Sequence, residues 1–334
     1  MGAGAVGANV VRQLASSSQV ATVALADDDD RASRVAIAVA ERGRVRAVGA
    51  ERWWQGADVA VLAAAAGHHP AMAERILTEC VSVVSVSDDV ADVRGLLALD
   101  GQARERQCSV VVGAGFAPGL SCLMARHAAS GFDQVDEIHV AKTGTASYSR
   151  GRAYLEAMRG RSLDWRDGVW VRRRAGSGRE LCWFPEPVGA KDCYRARAPD
   201  ALVLVPAFAG VGRVTARVSA SPGYRLSAKL PGLGRAGHDD RLGAVRVEVR
   251  GYRDGVYDAT VLGAVDRPAV AAGAVAAVAA VAAGTGALAR PGAAGLAELA
   301  DPPSFLRELA RRGVKVAAFE GTASNGAALQ PAVC

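Results

Sequence analysis

The sequence predicts an α/β fold in two parts: a doubly wound parallel sheet, then an α+β domain built on a mostly antiparallel sheet. Three observations predict it. A glycine turn, Gly2-Ala3-Gly4-Ala5-Val6-Gly7, opens a helical pattern at the start of the chain. Short apolar runs then alternate with helical patterns to about residue 129, as βαβ units require. Beyond Phe132 strands dominate, and in one of them valines alternate strictly with charged residues.

Composition bounds the rest. A chain of 334 residues can bury one large or two medium cores, and with half its residues apolar and 22% charged it is globular. The net charge of +6 is local: residues 142–179 hold ten basic and three acidic side chains, leaving 30 against 31 elsewhere. With no recognisable nucleic-acid module, no nucleic-acid partner is expected. The cysteines at 80, 108, 122, 182, 193 and 334 have no metal spacing, so no metal is expected; without a signal peptide they read as reduced, cytoplasmic thiols. The longest apolar run, Ala269 to Ala283, is too short to span a membrane and reads as a buried helix.

The elements follow in order. In the turn G-x-G-x-x-G, Gly2 permits the tight bend, Gly4 lets backbone approach a pyrophosphate, and Gly7 lets helix and strand pack closely. The amides around Ala5 and Val6 then offer an anion site at a helix N-terminus. An apolar strand, Val20 to Ala26, ends at Asp27, where a carboxylate can accept hydrogen bonds from an adenosine ribose. This is the pattern of a Rossmann dinucleotide site, for NAD or NADP. Asp27 to Asp30 would repel a 2′-phosphate and favour NAD, whereas Arg31 or Arg34 could grip one. A strand normally precedes such a turn, and here only Met1 does. The expectation is therefore a late start, with a strand of about five or six residues upstream; the alternative is a degenerate domain.

Further strands are expected at Arg44 to Val48, Ala57 to Ala65, Val81 to Val86 and Ser109 to Val112, with helices at Pro70 to Glu79, from Asp89 to about Gln107, and at Leu120 to Ala129. Ala64, near the end of the second of these strands, is also expected to line the cofactor site. The second part begins near residue 132, with strands at Val135 to Ala141, Val169 to Arg173, Glu180 to Phe184, Ala201 to Val205 and Arg213 to Ser219, and a helix near Gly151 to Met158. Asp254-Gly255 should turn a hairpin between the Val245–Val249 strand, with one wet face, and Val256 to Leu262. Helices at Pro268 to about Leu288 and Ser304 to Arg312 should return to the first part. The division is thus 1–131, 132–265, 266–321 and a loose tail from 322.

The glycine turn, Ala26-Asp27, Val86-Ser87-Asp88 and above all Gly115-Phe116-Ala117-Pro118-Gly119-Leu120 resemble the saccharopine dehydrogenase-like family of NAD(P)-dependent oxidoreductases. The resemblance spans nearly the whole chain. It implies a Rossmann domain, an α+β substrate domain, a homodimer, and hydride transfer at a C–N bond of an amino-acid-derived small molecule.

Ligands of open α/β sheets bind outside the carboxyl ends of the strands, which gathers the glycine turn, His68-His69, Asp88-Asp89 and Gly113 to Gly119 around one cleft. Lys142, one of only four lysines, ends a strand facing it. Candidate catalytic residues are Lys142, His69 and Asp89. Lys142 could donate a proton, helped by the neighbouring arginine-rich segment, or clamp a carboxylate, or be a solvated strand-end residue. His69 could donate a proton or be a capping or surface histidine, and one or both of Asp88 and Asp89 could cap a helix. Gly115, Pro118 and Gly119 are expected to bring backbone near a nicotinamide. Open alternatives are carbonyl reduction in secondary metabolism and a non-catalytic NAD(P)-binding protein.

Overall fold

The computed structural model describes residues 2–40, 44–144, 157–220 and 242–319. In the first part, helix α1 (Ala5–Ala15) leads to strand β1 (Val23–Leu25), helix α2 (Asp30–Val39) and strand β2 (Val45–Ala47). Then come β3 (Val59–Leu62), α3 (His69–Leu77), β4 (Ser82–Ser85), α4 (Val90–Leu97), α5 (Asp100–Glu105), β5 (Ser109–Val111) and α6 (Leu120–Ala129). The expected helix from Asp89 to about Gln107 is thus two helices. Valine-rich strands buried on both faces, with helices between them, produce parallel pairing.

The parallel strands fall into two sheets. Among the described residues β1 pairs only with β2, while β3, β4 and β5 belong to a separate sheet. A cavity of about 310 Å³, lined by Val10, Val11, Val23, Leu25, Val59 and Val61 among others, lies between β1 and β3. Gly2 sits on its rim: its amide donates to Ala26 O at 3.0 Å, and a Cβ on it would lie 2.6 Å from the Ala63 backbone.

The second part is a nine-stranded sheet. Its strands are β6 (Gln134–Thr143), β7 (Asp164–Arg166), β8 (Val169–Val171), β9 (Glu180–Trp183), β10 (Ala190–Arg195), β11 (Arg213–Ser219), β12 (Gly243–Arg253) and β13 (Val256–Asp266). Strand β15 (Val316–Phe319), near the chain's end, adds to β13. Pairing is antiparallel except between β6 and β11. The Asp254-Gly255 hairpin forms as expected, with φ of 50° and 73° and Arg253 opposite Val256.

Two expectations change. Ala201 to Val205 is not a strand but a one-turn helix, α7 (Asp200–Leu204); a five-residue apolar run has no period long enough to choose, and Pro199 stands at its N-cap. The Arg246/Glu248/Arg250 face of β12 is not simply wet: Glu248 is 8% exposed and holds Arg246 and Arg250 at 2.5 Å each. The helix expected near Gly151 to Met158 lies largely outside the described residues, as does the tail.

Helix α8 (Pro268–Gly284) is buried against α1, β3 and β4, with Gly273 pressed on Asn9. Strand β14 (Gly292–Ala294), unforeseen, then pairs with β5 as a fourth parallel strand, followed by α9 (Leu296–Leu299) and α10 (Pro302–Arg311). One apolar core runs from Val83 and Val110 of the parallel sheet through Leu123 to Ile138, Val140, Val245 and Val247 of the second sheet. This continuity sets the end of β6 against the loops after β4 and β5. Among the described residues no helix is long and apolar enough to cross a membrane.

Candidate active-site cleft

The three glycines of the turn differ in what a side chain on each would meet. Gly2 has φ +102°, a conformation that a side chain would strain. A Cβ on Gly7 would collide with Gly2 O, so the third glycine keeps the helix close to the turn. A Cβ on Gly4 would meet nothing within 4 Å: above it the helix N-terminus is open. Gly4 is the N-cap of α1, with no side chain capping it, so the first-turn amides at Ala5 and Val6 are left to another partner.

Asp27 follows β1 and turns back on this loop. Its Oδ2 accepts from the Ala3 amide, and Oδ1 accepts from the Asp29 amide at 2.7 Å. The sequence-predicted ribose acceptor is therefore held beside the turn by two backbone donors, with lone pairs to spare. Arg34 donates to Asp30 O at 3.2 Å, within its own helix. The Arg31 side chain lies outside the described residues.

The loop after β3 is pinned from below. His69, 1% exposed, donates from Nε2 to Ala64 O at 3.1 Å, and its Nδ1 lies 2.8 Å from Ser85 Oγ. It is a buried strut between β3 and β4, which replaces the surface reading and leaves it no ring nitrogen facing the cleft. Asp92, also buried, accepts from the Gly67 amide and the Ser87 hydroxyl and ties the same two loops. Asp89 caps α4, accepting from the amides of Ala91 and Asp92. The carboxylate that reaches the second part is its neighbour, Asp88.

The loop after β5 closes on itself, Gly115 N donating to Pro118 O and Leu120 N to Gly115 O. At Gly119, φ is +126° and a Cβ would strike the Gly115 backbone, so only glycine turns the chain here into α6. Lys142, near the end of β6, reaches across: its Nζ donates to Ala117 O at 2.8 Å and stands 3.6 Å from Asp88 Oδ2. It is a packed residue, its side chain 15% exposed, not a solvated strand end. Among the described residues, the charged groups recorded beside it are the carboxylates of Asp88 and Asp200.

Asp200, which sequence reasoning missed, is one of them. It is 1% exposed at the start of α7, with Oδ1 accepting from Ser121 Oγ at 2.9 Å and Oδ2 without a hydrogen-bond partner among the described residues. Burial pushes its carboxyl above the ordinary range, and the charge of Lys142 opposes that push. Burial likewise pushes the adjacent Cys122 thiol up to about 12. The only sequence signal for Asp200 was a polar residue closing Ala-Pro-Asp before an apolar run, which reads as a simple helix start. Among the described residues no cluster of three metal-ligating side chains exists. The loops at the carboxyl ends of the parallel strands thus carry an open helix N-terminus, an acidic acceptor and, among the described residues, a lysine beside the carboxylate of Asp88.

No protein-family model matches this sequence, and no curated protein sequence matches it. Among solved structures the chain is similar to apo saccharopine dehydrogenase (L-Glu forming) from Saccharomyces cerevisiae, with 14% identity, a TM-score of 0.66, and coverage of 96% of this chain and 98% of that one. Looser matches include DAP dehydrogenase from C. glutamicum, at 14% identity, TM-score 0.47 and coverage of 86% and 95%. The likeness to the yeast enzyme shows a shared fold: a Rossmann-type parallel unit carrying a mixed, mostly antiparallel second sheet.

Proposed function

We propose that this protein is an NAD(P)-dependent oxidoreductase that transfers hydride at a C–N bond of an amino-acid-derived small molecule. The observation that carries the reading is the open turn at Gly4 with Asp27 bound to its rim, in the same parallel unit whose loop after β5 receives Lys142. The backbone of Gly2, Gly4, Ala5, Val6 and Gly7 would hold a pyrophosphate and Asp27 the adenosine ribose. The acidic run after β1 favours NAD over NADP. When bound, the nicotinamide supplies or accepts the hydride.

The chain's own residues do the rest. Ala64, Gly115, Pro118 and Gly119 bring backbone to the cleft without offering a titratable group. Lys142 has three donors on Nζ; Ala117 O takes one and Asp88 faces a second, which leaves one for the substrate. In the reducing direction Lys142 would deliver a proton to the substrate nitrogen, and in reverse it would take that proton back. Asp200 lies near enough to Lys142 for their charges to interact. Likeness in fold to a saccharopine dehydrogenase supports this class of substrate. A cytoplasmic homodimer accompanies the reading.

The test is fluorescence titration with NADH and NADPH, followed by absorbance at the nicotinamide band with a panel of amines paired with keto acids. NADH binding with turnover of an amine–keto acid pair is the expected result. Turnover of simple carbonyls alone makes it a carbonyl reductase, and cofactor binding without any turnover makes it a binding protein.

A further inference from the structure

We propose that Ser87 is a positioning residue that acts through Asp88 to hold Lys142 in place. Its effect on turnover rests on the reading of Lys142 as proton donor; its effect on Lys142 itself does not. Lys142 is held at two points, Ala117 O at 2.8 Å and Asp88 Oδ2 at 3.6 Å. The first is set by backbone, because the loop carrying Ala117 closes on itself through Gly115 and Pro118. The second is a side chain on the loop after β4, and its direction depends on the residue before it.

Ser87 Oγ accepts from the Asp89 amide at 3.3 Å, which closes a turn with Asp88 at its centre. A hydroxyl has one proton, and Ser87 gives it to Asp92 Oδ2 at 2.7 Å, so an oxygen lone pair is left aimed at Asp89. The Ser87 amide donates to Ser85 Oγ at 3.2 Å. Asp92 is fixed in turn: it belongs to α4, and both its oxygens accept from the Gly67 amide, at 3.0 and 3.1 Å. The turn around Asp88 is thus tied to the helix after it and to the neighbouring loop after β3.

Ser85, Ser87 and Asp92 are buried, as are their chain neighbours Val84, Val86 and Val93, and apolar side chains in their place would be buried at less cost. Each polar side chain in this cluster makes at least one hydrogen bond, so the cluster rigidifies the loops it joins. What it fixes is a choice between two adjacent carboxylates. Asp89 accepts from the Ala91 and Asp92 amides as the N-cap of α4, and Asp88 is left facing β6. Without the Ser87 hydroxyl the Asp89 amide loses that acceptor, the turn loosens, and one of the two points on Lys142 is released.

Trace acetylation of the folded chain with acetic anhydride, read peptide by peptide by mass spectrometry, tests this without a substrate. The chain has four lysines, and the exposed Lys191 and Lys315 serve as internal references. Ser87→Ala is expected to raise the labelling rate of Lys142 about threefold relative to the references, the size of effect that one lost hydrogen bond carries. Asp88→Asn should raise it at least as much, and adding Ser87→Ala to Asp88→Asn should change nothing further. Should Ser87→Ala fail to fold, Asp92→Asn carries the same comparison. A Lys142 rate unchanged in Ser87→Ala, or unchanged in Asp88→Asn, overturns the proposal, and so do increments that multiply in the double variant. In turnover of an amine–keto acid pair, Ser87→Ala should lower kcat severalfold while NADH binding stays within about twofold. Absence of turnover in the parent chain removes the hydride-transfer reading and leaves the labelling result to decide the role of Ser87.

Discussion

The ammonium of Lys142 and the carbonyl of Ala117 are joined by a 2.8 Å hydrogen bond that links the last residues of β6 to the loop following β5. This bond places the cleft's cation over the loop expected to carry the nicotinamide. Arginine can keep the charge and the hydrogen bond but does not release a proton. Lys142→Arg is therefore expected to lose turnover roughly 10²-fold at little change in KM. Retained kcat with a shifted KM would instead identify a carboxylate clamp. If Lys142→Ala keeps both constants within about twofold, Lys142 is no part of the chemistry.

Gly4 and Gly7 should respond to valine in opposite ways. The space above Gly4 is empty, so Gly4→Val should fold normally, with Tm within a few degrees, while binding of NADH disappears. A Cβ on Gly7 meets Gly2 O, so Gly7→Val should lower Tm before any ligand is added. Equal thermal losses for both variants would contradict an open cradle. In the same titration, Asp27→Ala should weaken NADH more than NADPH, because it removes the ribose acceptor and also a negative charge facing a 2′-phosphate.

Asp200 makes stability fall as pH rises. Its carboxyl is pushed above the ordinary 3.8 by burial, so the folded chain holds this proton more tightly than the unfolded chain. The resulting stabilisation is complete below 3.8 and is lost as pH climbs from there through the folded value. Asp200→Asn removes this term, so urea midpoints of the variant should decline less than those of the parent between about pH 4 and 7. Identical pH slopes for the two proteins would refute the assignment.

Glu248 has the opposite sign. Burial pushes its carboxyl up, but Arg246 and Arg250 together outweigh that and hold it below the ordinary 4.5. Its stabilisation is present above 4.5 and fades as pH falls through the folded value. Glu248→Gln leaves Arg246, whose side chain is 17% exposed, without its carboxylate, at a cost on the order of 2 kcal/mol after allowing for the exposure of Arg250. Denaturant unfolding at neutral pH should show the loss, and it should shrink toward acid pH.

The cavity between β1 and β3 can accept a strand. A chain carrying five β-branched residues directly ahead of Gly2 is expected to melt several degrees higher than the parent chain, because the added strand can pair with the facing edges of β1 and β3 and fill apolar space. Five serines at the same place should give no such rise. Equal melting temperatures for the two extensions would show that the space is not a strand slot.

Local chemistry decided much of this protein from sequence alone. The spacing of Gly2, Gly4, Gly7 and Asp27, the Gly115–Gly119 turn and the Asp254-Gly255 hairpin are legible because backbone conformation at a glycine, or at a residue forced to positive φ, depends on few neighbours. Valine runs in β3, β4 and β5 are legible because burial on both faces leaves an unbroken apolar pattern. What tertiary structure alone decided involves residues far apart in the chain. Whether Ala201 to Val205 became strand or helix depended on where that run packed. His69 became a strut and Asp89 a cap, while Asp88 reached Lys142, because the position of α4 left one carboxylate for its own helix and one for the cleft. Asp200 met Lys142 across 58 residues of sequence, a distance over which no periodicity carries information. Strand β14 joined β5 after 180 intervening residues for the same reason: the edge that received it exists only once the sheet has formed.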